Sequence, residues 1–594
     1  MTRAAIRKTR DICFLCLFPL LIFWGMEWFL RNPFMEKWGI RALLQLINLI
    51  FFYLLEFFFY ALTGSLRTSL YILSVSAFVF GLCDHYVYLF RGNTIVPWDL
   101  MSLGTALSVS GDYDYKPDRT TILVILYFLI LWISLFFCKS SIRRKRKLRL
   151  KIVILSALML FLIYIPFVQS EHTVKTLKIY DKLFTPATMT MRDGMAYAFL
   201  YDLQFLKVKK PPGYNRKKTG SELKDKYGEG TTVAKGDENT PNIIVVMCEA
   251  FSDPGVLTEF EVNKDYMPFI RSLYEDDNCI SGNLNVSVLG GNTPNTEFEF
   301  LTGSTMAFLP AGSIPFQQFI RKRTDAIPSY LSEMGYNTEA MHPYKAGGWD
   351  RNRVYPLLGF DNMFFLDHFM GNEYGKVRKY VSDKALFNEI INRYKKNGKK
   401  TPFFSFNVTM QNHSDYTEDF DNFDPDIEVT GLDNVRSIER YLSLEKLTDN
   451  AFKDLISYFD SISDPSIVVF FGDHQPTDSV VEPLLNLNGK SCSDLNEEEL
   501  MLRYKVPFFI WANYDIAGEK DLEISANYLG NLVLKTAGLE LKGYRAFLEE
   551  QYRETPVVTP VRTVHKDGSD ETTDIKDPAL QNYRCMQYYV MFDK

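Results

Sequence analysis

The sequence predicts a chain of two parts: a bundle of five membrane-spanning helices, then an α/β domain with a mainly parallel central sheet. Three observations predict it. Apolar residues crowd into about the first 170 of 594 positions, in five long runs. From Pro241 onward, short β-rich runs alternate with helical patterns, the order of a parallel sheet flanked by helices. Four of those predicted strands end in acids or imidazoles.

The apolar runs are Ile12–Leu30, Ile40–Leu62, Ser69–Phe90, Thr121–Cys138 and Ile152–Val168. A helix needs roughly 20 residues to cross the bilayer core, and five such runs exceed what buried core helices would supply. The fifth is the shortest and spans with little tilt. The first is followed by four more, so it reads as a span and not as a cleaved leader. The N-terminal "MTRAAIRKTR" is basic, and "KSSIRRKRKLRLK", between the fourth and fifth runs, carries eight basic residues and no acid. The positive-inside rule puts both in the cytoplasm and everything after Val168 outside the cell. The same basic loop suits anionic lipid. Glu56, Asp84 and His85 lie in or near the ends of the runs, where ionisable groups are costly. This topology puts Asp84 and His85 at the outer interface and leaves the role of Glu56 open.

The domain boundaries expected from composition are 1–168 for the anchor, 169–240 for juxtamembrane helices and a linker, 241–545 for the α/β domain and 546–594 for a tail. Residues 171–212 show helical spacing and end at Pro211-Pro212. "GYNRKKTGSELKDKYGEGTTVAKGDENT" is polar and glycine-containing, and reads as a linker or extended arm. The expected strands are "NIIVVMCEA", "NTEAMHP", "FFSFNVTMQNH" and "SIVVFFGDH". The expected helices include Met267–Tyr274, Ile327–Met334, Lys384–Lys395 and Val435–Asp460. The tail from Glu549, rich in Thr, Val and Tyr, reads as irregular strands. The eight cysteines show no CxxC spacing, so they predict neither a disulfide framework nor a zinc-thiolate site. A net charge of −6 gives no ground for a nucleic-acid partner.

In open α/β sheets, ligands bind at the carboxyl ends of strands. The four strands end there in Glu249, His342, His413 and the pair Asp473-His474. Three of the chain's seven histidines occupy these positions. Glu249, Asp473 and His474 make a hard-oxygen and imidazole set that suits Mn²⁺ or Mg²⁺. Capping of the next helix is the competing use of Asp473.

"LGGNTPNTEFEFLTG", from Leu289 to Gly303, puts Thr293 at the start of a helix with Pro294 in its first turn. A hydroxyl at a helix N-terminus beside a metal serves as a nucleophile toward phosphorus. The same pattern fits plain capping by Thr293 or Thr296, with Glu297 and Glu299 in the first turn. In "MHPYKAGGWDRNRVYPLLGF", His342, Trp349 and Arg351 lie around a Gly-Gly turn. Arginine suits a phosphate, and tryptophan offers a flat wall to a polyol or acyl-glycerol edge; Trp349 as a loop plug is the competing reading.

Taken in order, the five runs, "VVMCEAFSD", "GGNTPNTEFEFLTG", "MHPYKAGGWDRNRVY", "QNHSDY" and "FFGDHQP" resemble the lipoteichoic acid synthase family, the sulfatase-like phosphoglycerol transferases of Gram-positive bacteria. The resemblance covers nearly the whole chain. It implies an extracellular α/β domain of alkaline-phosphatase and sulfatase type, with one Mn²⁺ or Mg²⁺ held by Glu249, Thr293, Asp473 and His474. It implies that Thr293 attacks the phosphorus of phosphatidylglycerol and forms a glycerophospho-threonine intermediate. Diacylglycerol would leave, and the glycerol phosphate would pass to a lipoteichoic acid, glycolipid or cell-wall polymer acceptor. His342, Trp349, Arg351 and His413 would hold the head group, and His413 or His342 would protonate the leaving alkoxide. Tyr344 stands where family members can carry an acid, two positions after His342.

Formylglycine sulfatases need a convertible cysteine or serine in C-x-P-x-R. This stretch reads Thr293-Pro294-Asn295-Thr296-Glu297, which excludes that chemistry. Phosphoethanolamine transfer and plain phosphodiester hydrolysis would use the same fold. An inactive relative that binds teichoic acid or lipid is the non-enzymatic alternative; the presence of Glu249, Thr293, Asp473 and His474 argues against it.

Overall fold

The structure is a computed structural model. It describes residues 3–594 apart from 32–39, 92–93, 103–115, 141, 143–145, 178, 180–185, 229–239, 311, 372–373, 399–400, 415, 432–434, 493–494 and 575. Parts of the basic loop, of the loop after the third apolar run and of the expected linker therefore lie outside the described residues. In the main, the chain divides into two compact units, with the boundary in the sequence between Val208 and Lys209.

The first unit contains five helices long and apolar enough to span a bilayer: Thr9–Glu27, Ala42–Thr63, Leu66–Leu89, Arg119–Phe137 and Arg146–Val168. The fifth is not short, as its basic start from Arg146 is part of the helix and gives it 23 residues. Ile22, Phe23, Leu44, Phe51, Leu70 and Phe128 pack inside the bundle. Ile130, Ile154, Leu158 and Phe161 face outward. A packed apolar interior under an apolar exterior is what a helical bundle in lipid requires.

Short helices Pro186–Asp193 and Met195–Asp202 are built into this unit. The buried Glu27–Arg31 ion pair, at 2.7 Å, anchors them. Arg31 donates to the carbonyls of Thr190 and Met191, and Glu27 accepts from the Met195 amide at 2.7 Å. Asn48 donates to the Asp193 carbonyl and accepts from the Tyr197 amide. Glu56 is buried and accepts from Ser69 at 2.6 Å. Asp84 accepts from the Ile95 amide, and His85 lies 2.8 Å from the Phe29 carbonyl.

The second unit holds an eight-stranded sheet. Its strands are β1 (Asn242–Cys248), β2 (Cys279–Asn285), β3 (Asn337–Met341), β4 (Asn362–Phe364), β7 (Phe403–Val408), β8 (Ser466–Gly472), β9 (Lys505–Ala512) and β10 (Glu519–Ser525). A separate hairpin forms β5 (Lys376–Val377) and β6 (Tyr380–Val381). The order is β10-β2-β9-β8-β1-β7-β3-β4. β9 runs antiparallel to both neighbours, and every other pairing is parallel. β1, β7 and β8 are buried along their whole length, as their unbroken apolar runs require. The long helix Arg436–Asp460 covers the sheet through Tyr441, Leu444, Phe452, Leu455 and Phe459.

Two expectations are corrected. The stretch read as a linker contains the helix Arg216–Tyr227, started by Asn215, whose side chain accepts from the Lys218 amide. Its polar, lysine-rich sequence hid a helix of ordinary capping. The tail holds the end of the helix Tyr544–Glu554, three two-residue antiparallel strands and the helix Pro578–Tyr588. Tyr583 of that helix is buried, as are Tyr528 and Phe547. The short irregular strands expected of the tail are present, and the correction is confined to its helices, where Tyr583 is a packing residue.

Candidate active site

The register of the sheet places the first ligands. Cys248 pairs with Gly472 across β1 and β8, so Glu249 and Asp473 leave adjacent parallel strands side by side. Immediately after Glu249, Ala250 turns through a left-handed conformation, φ 53°, unusual for a residue with a side chain. Neighbouring groups hold it there: its amide donates to Asp473 Oδ1 at 2.7 Å, and Tyr441 donates to its carbonyl at 2.7 Å. Local strain held by such contacts clusters at functional sites.

His474 Nε2 lies 3.2 Å from Asp473 Oδ2 and 3.7 Å from Glu249 Oε1. Its Nδ1 faces the Gln475 carbonyl at 2.8 Å. A carbonyl only accepts, so Nδ1 carries the proton and Nε2 turns toward the carboxylates. Both Asp473 Oδ2 and His474 Nε2 are buried and make no hydrogen bond. Burial pushes Glu249 well above the ordinary carboxyl range, with Asp473 adding to the shift; burial raises Asp473 as well. Buried, without hydrogen bonds and converging, these atoms have the arrangement that a shared cation would satisfy. The residues fit a divalent ion: ligand atoms of Glu249, Asp473 and His474 all lie within 4.8 Å of one another. A second group, His565, Glu571 and Asp577, has an exposed Glu571, and Asp577 already caps the Ala579 amide.

Thr293 completes the set. The helix Thr293–Thr302 begins after Asn292 in a left-handed turn, φ 62°, with no side-chain cap. Thr293 Oγ1 donates to Glu249 Oε2 at 3.2 Å. Thr296 donates to the Asp473 carbonyl at 2.8 Å. Neither threonine caps the helix. Every residue of this helix is buried, so the hydroxyl is held in a fixed place. Glu299 is spent on the Met306 amide at 2.8 Å and Ser287 at 2.9 Å.

Of the expected head-group residues, Arg351 and His413 lie near enough for electrostatic interaction with this centre, and His342 near enough to interact with both of them. His342 is buried at the end of β3, its Nδ1 3.0 Å from the Val408 carbonyl. Burial and the Arg351 charge hold it well below the usual imidazole range. His413 Nδ1 faces the Ser414 carbonyl at 2.7 Å. Trp349 is half-buried and sits in a left-handed conformation, φ 56°. Arg351 is buried, and its charge acts on both Glu249 and His342. Its side chain pairs with Glu297.

Several contributors were not visible in the sequence. Glu297 is one. Arg378 is another: it is buried, has φ 54°, and donates to the Gln411 and His413 carbonyls at 2.6 and 2.7 Å. Tyr380 lies 3.3 Å from His413 Nδ1. The rings of His342, Tyr344, Tyr380 and His413 follow one another at 6.1, 6.5 and 5.6 Å. Both Arg378 and Tyr380 belong to the β5–β6 hairpin region, which carried no motif.

The sulfatase family model matches residues 241–539, half of the chain. The chain belongs to the sulfatase family. Over 411 residues this sulfatase-family protein is 30% identical to a putative cyclic beta-1,2-glucan modification protein of Rhizobium meliloti, covering 68% of this chain and 62% of that protein. It is 24% identical over 475 residues to the lipoteichoic acid synthase of Staphylococcus aureus, covering 75% and 68%. Its fold is similar to that of the Streptococcus pyogenes phosphoglycerol transferase GacH, solved in complex with sn-glycerol-1-phosphate. That match has a TM-score of 0.50 and 23% identity, and covers 65% of this chain and 96% of that one. Within the family, this member presents a threonine at the centre of its candidate site.

Burial lowers the His413 pKa to about 4. The unfolded chain takes up this proton near the ordinary value of about 6.5, before the folded protein does. The neutral ring therefore contributes stability above pH ~6.5, and that contribution is lost as pH falls toward 4. Chemical denaturation of wild type and His413→Gln across this window checks it. Wild type should lose more stability than the variant; parallel curves would contradict the assignment.

Proposed function

We propose that this protein is a membrane-anchored phosphoglycerol transferase. It moves glycerol phosphate from phosphatidylglycerol to a hydroxyl of a cell-envelope glycopolymer, through a phospho-threonine at Thr293. The observation that carries this reading is the buried Thr293 hydroxyl, 3.2 Å from Glu249 at a helix N-terminus, beside the orphaned Asp473 and His474 atoms.

Glu249, Thr293, Asp473 and His474 would hold Mn²⁺ or Mg²⁺, as two carboxylates, a hydroxyl and an imidazole suit a hard or borderline ion. Such an ion, when bound, supplies positive charge against the threonine oxygen and the phosphoryl oxygens. Thr293 Oγ attacks phosphorus as the bond to the diacylglycerol oxygen breaks. Glu249 orients the hydroxyl and accepts its hydrogen bond. The proton given up by Thr293 ends on the departing alkoxide, with His413 or His342 as the imidazole that delivers it. In the second half the acceptor hydroxyl attacks phosphorus as the bond to Thr293 Oγ breaks; a neutral His413, with Nε2 free, takes the acceptor's proton, and that proton ends on the released Thr293 oxygen. His342, Trp349 and Arg351 contact the head group.

The Rhizobium relative, named for glucan modification, supports a carbohydrate acceptor beside the lipoteichoic polymer that the Staphylococcus relative is named for. The positive-inside argument places the N-terminus in the cytoplasm and the catalytic domain outside. The domains are proposed as 1–168, 169–240, 241–545 and 546–594.

The test uses purified full-length protein in detergent with fluorescent phosphatidylglycerol. Diacylglycerol release is expected with Mn²⁺ or Mg²⁺ and is expected to stop with EDTA. Adding either ion to EDTA-treated protein should also raise its melting temperature, because only the folded state presents the site. Cleavage of phosphatidylethanolamine in place of phosphatidylglycerol would leave the reaction type standing and replace the donor. Inertness toward both lipids under Mn²⁺, Mg²⁺ and Zn²⁺ would remove the enzymatic reading.

A further inference from the structure

We propose that Glu297 is a positioning residue: it fixes which edge of Arg351 meets the substrate phosphate, and so ties the phosphate contact to the nucleophile. The inference rests on the phosphoryl-transfer reading of the site.

Glu297 stands four residues after Thr293 on the same buried helix. Arg351 opens the helix Arg351–Leu358. Both side chains are buried, at 0% and 2% exposure, and 54 residues separate them in the chain. Arg351 Nε donates to Glu297 Oε1 at 3.0 Å and Oε2 at 3.2 Å, and Nη2 donates to Oε1 at 2.5 Å. Tyr355, one turn on from Arg351, donates to Oε2 at 2.6 Å. Glu297 thus grips the guanidinium from the side and engages two of its three nitrogens. Nη1 remains, and lies 3.7 Å from the point where a Cβ on Gly348 would stand. That point adjoins Trp349 and Asp350, both in left-handed conformations.

Two consequences follow from the geometry. An unengaged guanidinium meets phosphate as a fork, through two parallel bonds. Here only one edge is presented, in a direction set by a carboxylate on the nucleophile's own helix. The carboxylate also offsets part of the arginine charge, which keeps an anionic head group from being held too tightly for turnover. Removing the Glu297 charge should therefore tighten phosphate binding while slowing transfer. A contact that served only the fold would lower the yield of folded enzyme and leave both constants alone.

The experiment is a double-mutant cycle on full-length protein with Mn²⁺, using Glu297→Gln, Arg351→Gln and the double variant. The readouts are the Kd for sn-glycerol-1-phosphate by calorimetry, and kcat and KM for phosphatidylglycerol. The double variant removes both charges together, so it avoids the unpaired buried arginine that the single Glu297→Gln leaves. Glu297→Asp, which keeps the charge, is the conservative control and should not tighten binding. Expected is at least about 5-fold tighter binding for Glu297→Gln in the Arg351 background, with a lower kcat, and less than about 2-fold change in the Arg351→Gln background. An equal change in both backgrounds, or none in either, would overturn the inference. If Arg351→Gln itself leaves the Kd unchanged, Arg351 does not contact phosphate, and the inference falls with that part of the reading while lipid cleavage still stands or falls on its own assay.

Discussion

Thr293→Ala is expected to lower diacylglycerol release from phosphatidylglycerol on the order of 10³-fold or more, with the protein still folded. The two parts of this expectation have different causes. Turnover falls because no other hydroxyl occupies the position. Thr296, one turn away, is committed to the Asp473 carbonyl, and Ser287 to Glu299. The fold survives because Thr293 does not cap its helix. Its Oγ makes a hydrogen bond to Glu249, and such a bond contributes about 1 kcal/mol. Thr293→Ser should keep a measurable rate, and mass spectrometry of wild type quenched during turnover should find glycerophosphate on the Thr293 peptide. Retention of release within about 10-fold of wild type by Thr293→Ala would remove the covalent step.

Gly472→Ala should be the most damaging single methyl group in the domain's active region. A Cβ at Gly472 would stand 1.9 Å from the Phe251 carbonyl oxygen and 3.1 Å from the Val506 Cβ. The first obstacle is backbone, so no side-chain rotation relieves it. β8 cannot yield either, because it is paired to β1 on one side and β9 on the other. Overpacking of this kind costs about 3 kcal/mol or more, which for a domain of this size is a fall of roughly 4–5 °C or more in melting temperature. Asp473 would be displaced with it, so whatever protein folds should also lose its thermal response to Mn²⁺. A variant that melts within about 2 °C of wild type would show that the approach of Phe251 to Gly472 is looser than described.

The centre of the domain was legible in the sequence because burial and chemistry met at strand ends. Runs such as "IVVFF" before Gly472 can only be central strands, and a carboxylate or imidazole at such an end needs a partner. That logic placed Glu249, His342, His413, Asp473 and His474 at one end of the sheet. The flanking strands were missed for the opposite reason. β2, "CISGNLN", is broken by a glycine, which admits the Leu522 backbone at 2.0 Å from its would-be Cβ. β10 carries Glu519, Lys520, Asp521 and Glu523 toward solvent or into ion pairs. The alternation in β2 is broken at Gly282, and that in β10 extends only over Leu522 and Ile524, too short a run to stand out beside its charged start. β9 does hold the apolar "VPFFIWA", but Pro507 interrupts its pattern. The Glu297–Arg351 pair has no sequence signal, since pairing at such separation leaves no periodicity. In the sequence, Glu297 looked like a first-turn acid facing the helix dipole; the fold buries it against a cation.

Amides along β1 and β8 are covered on both sides by neighbouring strands, so they exchange hydrogen with solvent only when the domain opens as a whole. Glu249 and Asp473 ride on the ends of those two strands. The cage they form with His474 has no frayed, half-open state available at low free energy. An ion held by these residues would find no exit through fraying of the two strands. The stretch from Tyr344 to Asp350 lies outside the sheet, so sequence change there, where the proposed function would seat a new acceptor, would leave those two strand ends as they are.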